Sequence, residues 1–247
     1  MRKSLMSLLG IMLSMLTAQG VVITDDFNRL DTGYSADASL IGSGWVNAAP
    51  SDSNNTWRIN NGTLEFDGTV SFSLPGILYN TETTLNGAWT FSCDITLRED
   101  YGWNGFVLYK DTDNYTFLQM MKRSSDGSKA AALIQCIDGV TGSTLWLSGS
   151  ITEADDYTVV FESNGSGVVS CNVYELGQST AVAYRTLTSQ DFDGYYAGLR
   201  AGNYNKNPDV AYDNFSVTVI PEPGTVNLLV LSTVGIFISR RIAKKER

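Results

Sequence analysis

The chain contains no histidine among its 247 residues. That absence removes serine–histidine–aspartate and cysteine–histidine nucleophile arrangements and the usual zinc sites. Proton transfer would then fall to carboxylates, tyrosine or lysine. The best-spaced carboxylates are Glu65 and Asp67, two apart on an expected strand and so on one face, roughly 7 Å from each other. Such a separation suits glycoside hydrolysis. The plainer expectation is that Leu64 and Phe66 enter a core while both acids point to water.

Two other chemistries have candidate residues. Asp26, near the start of the first strand, and Asp213, in the last, could bring hard oxygen ligands together for a structural Ca²⁺. The turn Asp111-Thr112-Asp113-Asn114 is a second candidate, without the glycine and distal glutamate of an EF-hand loop. In both places Asp and Asn also serve as ordinary turn caps. For sugar binding, ring faces stack on pyranose faces while amides bond the hydroxyls. Tyr101 and Trp103 in the polar loop 98–104, and Asn203-Tyr204-Asn205 in another, are the ligand candidates. Trp45, Trp57, Trp89 and Trp146 lie in or beside strand patterns and are assigned to the core. Cys93, Cys136 and Cys171 are an odd set, and we expect three structural thiols rather than a disulfide framework.

These residues need strands to hold them. Trp89, Phe91, Cys93, Ile95 and Leu97 alternate with Thr90, Ser92, Asp94 and Thr96, a strict period of two with one face buried and one wet. Similar runs occupy 56–60, 63–67, 105–110, 115–121, 131–137, 157–162, 168–174, 195–200 and 210–219. Asn61-Gly62, Asp67-Gly68, Asp126-Gly127, Asp138-Gly139 and Asn164-Gly165 separate many of them with turn chemistry. No convincing amphipathic helix interrupts them. An all-β sandwich in a single domain, residues 21–220, follows.

The two ends read differently. Residues 1–20 have Arg2 and Lys3, an apolar core from Leu5 to Leu16, and Ala18-Gln19-Gly20, a signal-peptide layout. At the other end Pro221-Glu222-Pro223 breaks any helix or strand. An apolar run, 224–239, follows, long enough for a single transmembrane helix once its flanks are included, and then a basic tail, 240–247. Basic residues after an apolar run hold that side in the cytoplasm. The full chain carries 17 basic and 26 acidic residues. Without the seven basic and two acidic residues of the ends, the body keeps 10 against 24, a net of −14. Such a domain repels phosphate backbones, so nucleic acid is excluded as a partner.

The C-terminal order of Pro221, Glu222 and Pro223, an apolar run from Thr225 to Ile238, and Arg240-Arg241 closely resembles the PEP-CTERM sorting signal of Gram-negative bacteria. The resemblance implies an exosortase and the secretion machinery as partners. It also implies transient anchoring in the inner membrane, then delivery to the cell surface or extracellular matrix. The body resembles concanavalin A-like (laminin-G-like) jelly-roll sandwiches. The residues that carry this likeness are Asp25-Asp26-Phe27-Asn28-Arg29, Gly44-Trp45, Trp57-Arg58-Ile59, Gly105-Phe106-Val107-Leu108-Tyr109 and Tyr212-Asp213-Asn214-Phe215. The E-x-D-x-x-E strand motif of hydrolases on that fold is missing.

The expectation is an exported, non-catalytic β-sandwich that binds extracellular polysaccharide. The alternatives are a glycoside hydrolase or lyase using carboxylates or tyrosine, and a purely structural matrix protein or adhesin. An aromatic sheet face favours binding, facing carboxylates in a deep groove favour catalysis, and a face of small residues favours the structural role.

Overall fold

The computed structural model describes residues 20–49, 56–67, 76–98, 104–122, 129–151, 154–202 and 210–220. The chain divides into a body, Val22–Val219, and a second unit made of its two ends, nearly all of which lies outside the described residues. Among the described residues no helix is long and apolar enough to cross a membrane.

The body is an all-β sandwich. Its strands are β1 (Val21–Asp25), β2 (Trp45–Asn47), β3 (Thr56–Asn60), β4 (Thr63–Asp67), β5 (Gly76–Asn80), β6 (Ala88–Leu97), β7 (Asn104–Tyr109), β8 (Tyr115–Lys122), β9 (Lys129–Ile137) and β10 (Val140–Leu147), followed by β11 (Asp156–Asn164), β12 (Val169–Glu175), β13 (Ala181–Leu187), β14 (Tyr196–Ala201) and β15 (Val210–Ile220). A 3₁₀ turn, Ala38–Leu40, is capped by the Asp37 carboxylate. The first sheet runs β13-β12-β11-β6-β15-β4-β3, with β1 beside β15. The second runs β10-β9-β8-β7-β14-β5-β2.

The long alternating run forms β6, and every second residue from Trp89 to Leu97 is buried. Leu64 and Phe66 enter the same core. From the first sheet Phe91 meets Phe161 and Phe215, and across the sandwich it meets Phe106 at 5.8 Å. Trp45, Trp57 and Trp89 are core residues and Trp146 packs partly buried against them. Asn61-Gly62 and Asp138-Gly139 are left-handed at both positions, as tight hairpins require. All three cysteines are buried free thiols, the structural role expected.

A polar bridge crosses the core between β15 and the second sheet. The Tyr212 hydroxyl, on β15, donates to the carbonyl of Arg200 on β14 at 2.6 Å and accepts from the Gly105 amide of β7 at 3.1 Å. Burial pushes its phenol pKa up, so it remains a neutral donor.

Candidate functional site

Period-two alternation assigns the outward side chains of the second sheet. When Phe106 and Leu108 face the core, Val107 and Tyr109 face out. Register then sets their neighbours: Tyr109 stands opposite Tyr115 on β8 and Tyr196 on β14, and Val107 opposite Phe117 and Gly198. On β5, Tyr79 pairs with Gly198. The outer face of this sheet is therefore aromatic, a second apolar cluster of Ile77, Val107, Tyr109 and Phe117 with Tyr79, Tyr115 and Ile134 against it.

The rings form a continuous platform. Tyr79 lies 4.5 Å from Tyr109 and 5.5 Å from Tyr196, and Tyr109 lies 6.5 Å from Tyr115, which is 5.9 Å from Phe117. Tyr79, Tyr115 and Tyr196 are partly buried, while Tyr109 forms the floor at 6% exposure. Burial, with neighbouring Tyr79, Asp111, Tyr115 and Asp113, pushes the Tyr109 phenol up to about 12. Burial beside Tyr196 raises that of Tyr79. Both remain neutral near pH 7, with apolar ring faces and intact hydroxyl donors. At the far end of this face the Arg200 guanidinium stacks 3.9 Å above the Phe117 ring, and burial lowers its pKa to about 10.

This platform was missed in the sequence because it hides inside strands. Each tyrosine there satisfies the same alternation as a core residue, and only the register tells the two faces apart. The ligand candidates Tyr101, Trp103, Asn203, Tyr204 and Asn205 lie outside the described residues. The strand ends that flank their loops do meet: the Gly202 amide donates to the Asn104 side-chain oxygen at 3.3 Å. The sorting residues Pro221, Glu222, Pro223, Arg240 and Arg241 lie outside the described residues too.

The expectation that Glu65 points to water needs correction. Glu65 faces away from the core yet is only 3% exposed. Arg58 donates to its Oε2 through Nε (2.9 Å) and an Nη (2.6 Å), Arg98 donates to Oε1 at 2.6 Å, and Asn60 adds its amide. Burial alone would raise its pKa, but the hydrogen bonds from Arg98, Arg58 and Asn60 outweigh it and hold the carboxyl below the usual range. A carboxylate held this way is a structural anion, poorly suited to acid–base work. The Asp67 side chain lies outside the described ones.

Asp26 and Asp213 do come to one place. Burial and then the charges of Asp94, Asp26 and Asp25 raise the Asp213 pKa. An open cleft of about 390 Å³ beside Asp26 is lined by Asp25, Asn28, Arg29, Asn80 and Glu82, among others. Much of this oxygen set has other work. Asp25 accepts from the Phe27 amide, the Arg29 guanidinium and the Trp45 indole. Asp26 accepts from the Asn28 amide, and Asp213 from the Asn214 amide. In kind these oxygens suit Ca²⁺. Among the described residues no group of three or more histidines, cysteines, aspartates or glutamates is arranged to hold a metal ion. At the other candidate turn the Asp111 carboxylate accepts from the Asp113 amide and the Asn114 side chain, a self-capped turn.

No family model matches the chain, and no curated protein does. Solved structures do. The GH43B protein of a Bacteroides ovatus xyloglucan PUL matches with a TM-score of 0.56 at 18% identity, over 79% of this chain and 38% of its own. A xylan beta-1,4-xylosidase from Bacillus halodurans C-125 matches at 0.58 and 15%, over 78% and 38%. The CBM2 module of the evolved Dit protein of Lactobacillus casei BL23 phage J-1 matches at 0.57 and 11%, over 83% of this chain and 96% of the module. The chain thus spans less than half the length of either of these two larger proteins but nearly the whole of the module. At these identities the likeness establishes the two-sheet fold and nothing finer.

Proposed function

We propose that this chain is an exported surface or matrix protein whose body, a concanavalin A-like jelly roll, binds extracellular polysaccharide on the tyrosine platform of the second sheet. The observation that carries the reading is the set Tyr79, Tyr109, Tyr115 and Tyr196, neutral rings in tilted contact with one another on an outer sheet face. Aromatic faces beside hydrogen-bonding groups are how proteins hold sugars, whose rings present C–H faces and hydroxyl edges. Likeness to a CBM2 module that this chain nearly spans supports it.

Sorting belongs to the same proposal. The order Pro221-Glu222-Pro223, apolar run and Arg240-Arg241, preceded at the front by a signal-peptide layout, supports export, an inner-membrane stage and handling by an exosortase. Ending the chain at Pro223 should release soluble protein, and a truncated form still in the membrane fraction contradicts the anchor.

One observation favours a second reading, a structural matrix component. Many outward side chains of β6 and β15 in the first sheet are small and polar, among them Thr90, Ser92, Thr96, Ser216 and Thr218, a strip suited to packing rather than stacking. Retention on purified polysaccharide, lost in Tyr79→Ala with Tyr196→Ala, separates the two.

A further inference from the structure

We infer that the tyrosine platform ranks polysaccharides by charge, taking amine-bearing chains first, uncharged chains next and polyanionic chains last; this rests on the polysaccharide-binding reading above. The platform's rings gather at one end of the second sheet, where β7, β5 and β9 finish and β8 and β14 begin. The connections that close this end are residues 81–87, 110–114, 138–139 and 188–195. They carry Glu82, Asp111, Asp113, Asp138, Asp191 and Asp193, all exposed, against Lys110 alone.

Their placement beside the rings follows from connectivity. Asp111 and Asp113 lie in the short connection from Tyr109 to Tyr115. The Gly139 amide donates to the Asp113 carbonyl at 3.0 Å, which sets the Asp138 turn against that connection. The Gly87 amide donates to the Asp193 carboxylate at 3.1 Å, tying together the other two loops. Lys110 is already engaged, its ammonium 5.6 Å from the centre of the Tyr195 ring. Arg200, also on this face, is 3% exposed and stands four residues along β14 from Tyr196, roughly 13 Å away.

A sugar on the rings beside Tyr109 would therefore lie near Asp111 and Asp113, whose charges already act on the Tyr109 phenol, at a range where salt screens only in part. A uronate or sulfate there meets like charge. An ammonium meets carboxylates that accept its hydrogen bonds and aromatic faces that attract cations.

The test uses glucosamine oligomers of one length, N-acetylated or deacetylated, and a galacturonate oligomer of the same length, titrated against the purified protein at low and moderate salt. The expected result is at least tenfold tighter binding of the deacetylated than the galacturonate oligomer, with the N-acetylated one between and the spread narrowing as salt rises. The triple variant Asp111→Asn, Asp113→Asn, Asp138→Asn keeps turn-capping side chains and a residue that tolerates left-handed backbone, and should narrow the ranking several-fold while still binding the N-acetylated oligomer. Equal affinities, or preference for the galacturonate, overturn the inference and leave the polysaccharide reading standing. Deacetylated binding that survives Tyr79→Ala with Tyr196→Ala reports attraction to the acidic body at large and also overturns it. No binding of any oligomer removes the polysaccharide reading and this inference with it.

Discussion

Tyr79 and Tyr109 bring their rings to 4.5 Å although a whole strand, β14, lies between them. Gly198 makes the approach possible. It pairs with Tyr79, and a Cβ built on it would stand 2.8 Å from the Tyr79 Cβ and 2.6 Å from the Leu78 carbonyl oxygen. The close contact is with backbone, which cannot swing away. Gly198→Ala is therefore expected to destabilise the fold by about 1–3 kcal/mol, the usual cost of overpacking, and to displace Tyr79. A thermal melt together with a sugar titration checks this; a variant of unchanged stability and affinity contradicts the packing described.

Tyr212→Phe tests the polar bridge through the core. It leaves the Arg200 carbonyl and the Gly105 amide without the hydroxyl that serves both. A buried group left unsatisfied costs about 1–3 kcal/mol, and for a domain of this size each kcal/mol lowers Tm by roughly 2–4 °C. Both bonded strands carry platform residues, so sugar affinity should weaken together with the melting point. An unchanged Tm would mean that water replaces the hydroxyl without loss.

Glu65 yields a pH dependence. Its folded pKa lies below the ordinary value, so the native state prefers the carboxylate. Its contribution is complete above the unfolded pKa and disappears as pH falls through the folded one. Glu65→Gln should cost on the order of 2 kcal/mol at pH 7, since Arg58 and Arg98 lose a charged partner, and the gap to wild type should close in acid. Denaturant melts of both forms across that range measure it. A gap that stays constant as pH falls would place the loss in packing rather than charge.

Asp213 has the opposite sign. Burial and the charges of Asp94, Asp26 and Asp25 raise its folded pKa, so the native state holds the proton more tightly than the unfolded chain. The penalty is absent below the unfolded pKa and grows as pH rises towards the folded value. Asp213→Asn, which keeps an oxygen for the Asn214 amide, should melt higher than wild type at pH 7 and alike in strong acid. A calcium ion between Asp26 and Asp213 would raise the wild-type Tm in calcium over chelator and leave Asp213→Asn unmoved. Equal wild-type curves remove the ion.

Much of the fold was legible because its strands bury one face. The period of Trp89–Leu97 and the turns Asn61-Gly62 and Asp138-Gly139 specified their own structure. β2, β5, β10 and β13 were not foreseen, and the first strand, expected to start near Asp26, instead ends at Asp25. β2 is only three residues long, β5 is buried on both faces, and β10 shifts register against its partner twice, so none of these three shows a clean alternation. The site was harder for a different reason. Glu65 looked solvated because a local pattern does not reveal Arg98, which comes from β6's end thirty-three residues away. The tyrosine platform draws on four strands, and no single stretch of sequence contains it.

The most direct measurement is a titration of the purified protein with neutral polysaccharide oligomers, wild type against Tyr79→Ala with Tyr196→Ala. Both side chains are only partly buried, so the variant should fold, as its melt can verify. The account predicts saturable binding by wild type and at least a tenfold loss in the variant, the equivalent of about 1.4 kcal/mol. Equal affinity in the two proteins, with both folded, would contradict the tyrosine platform as the binding face.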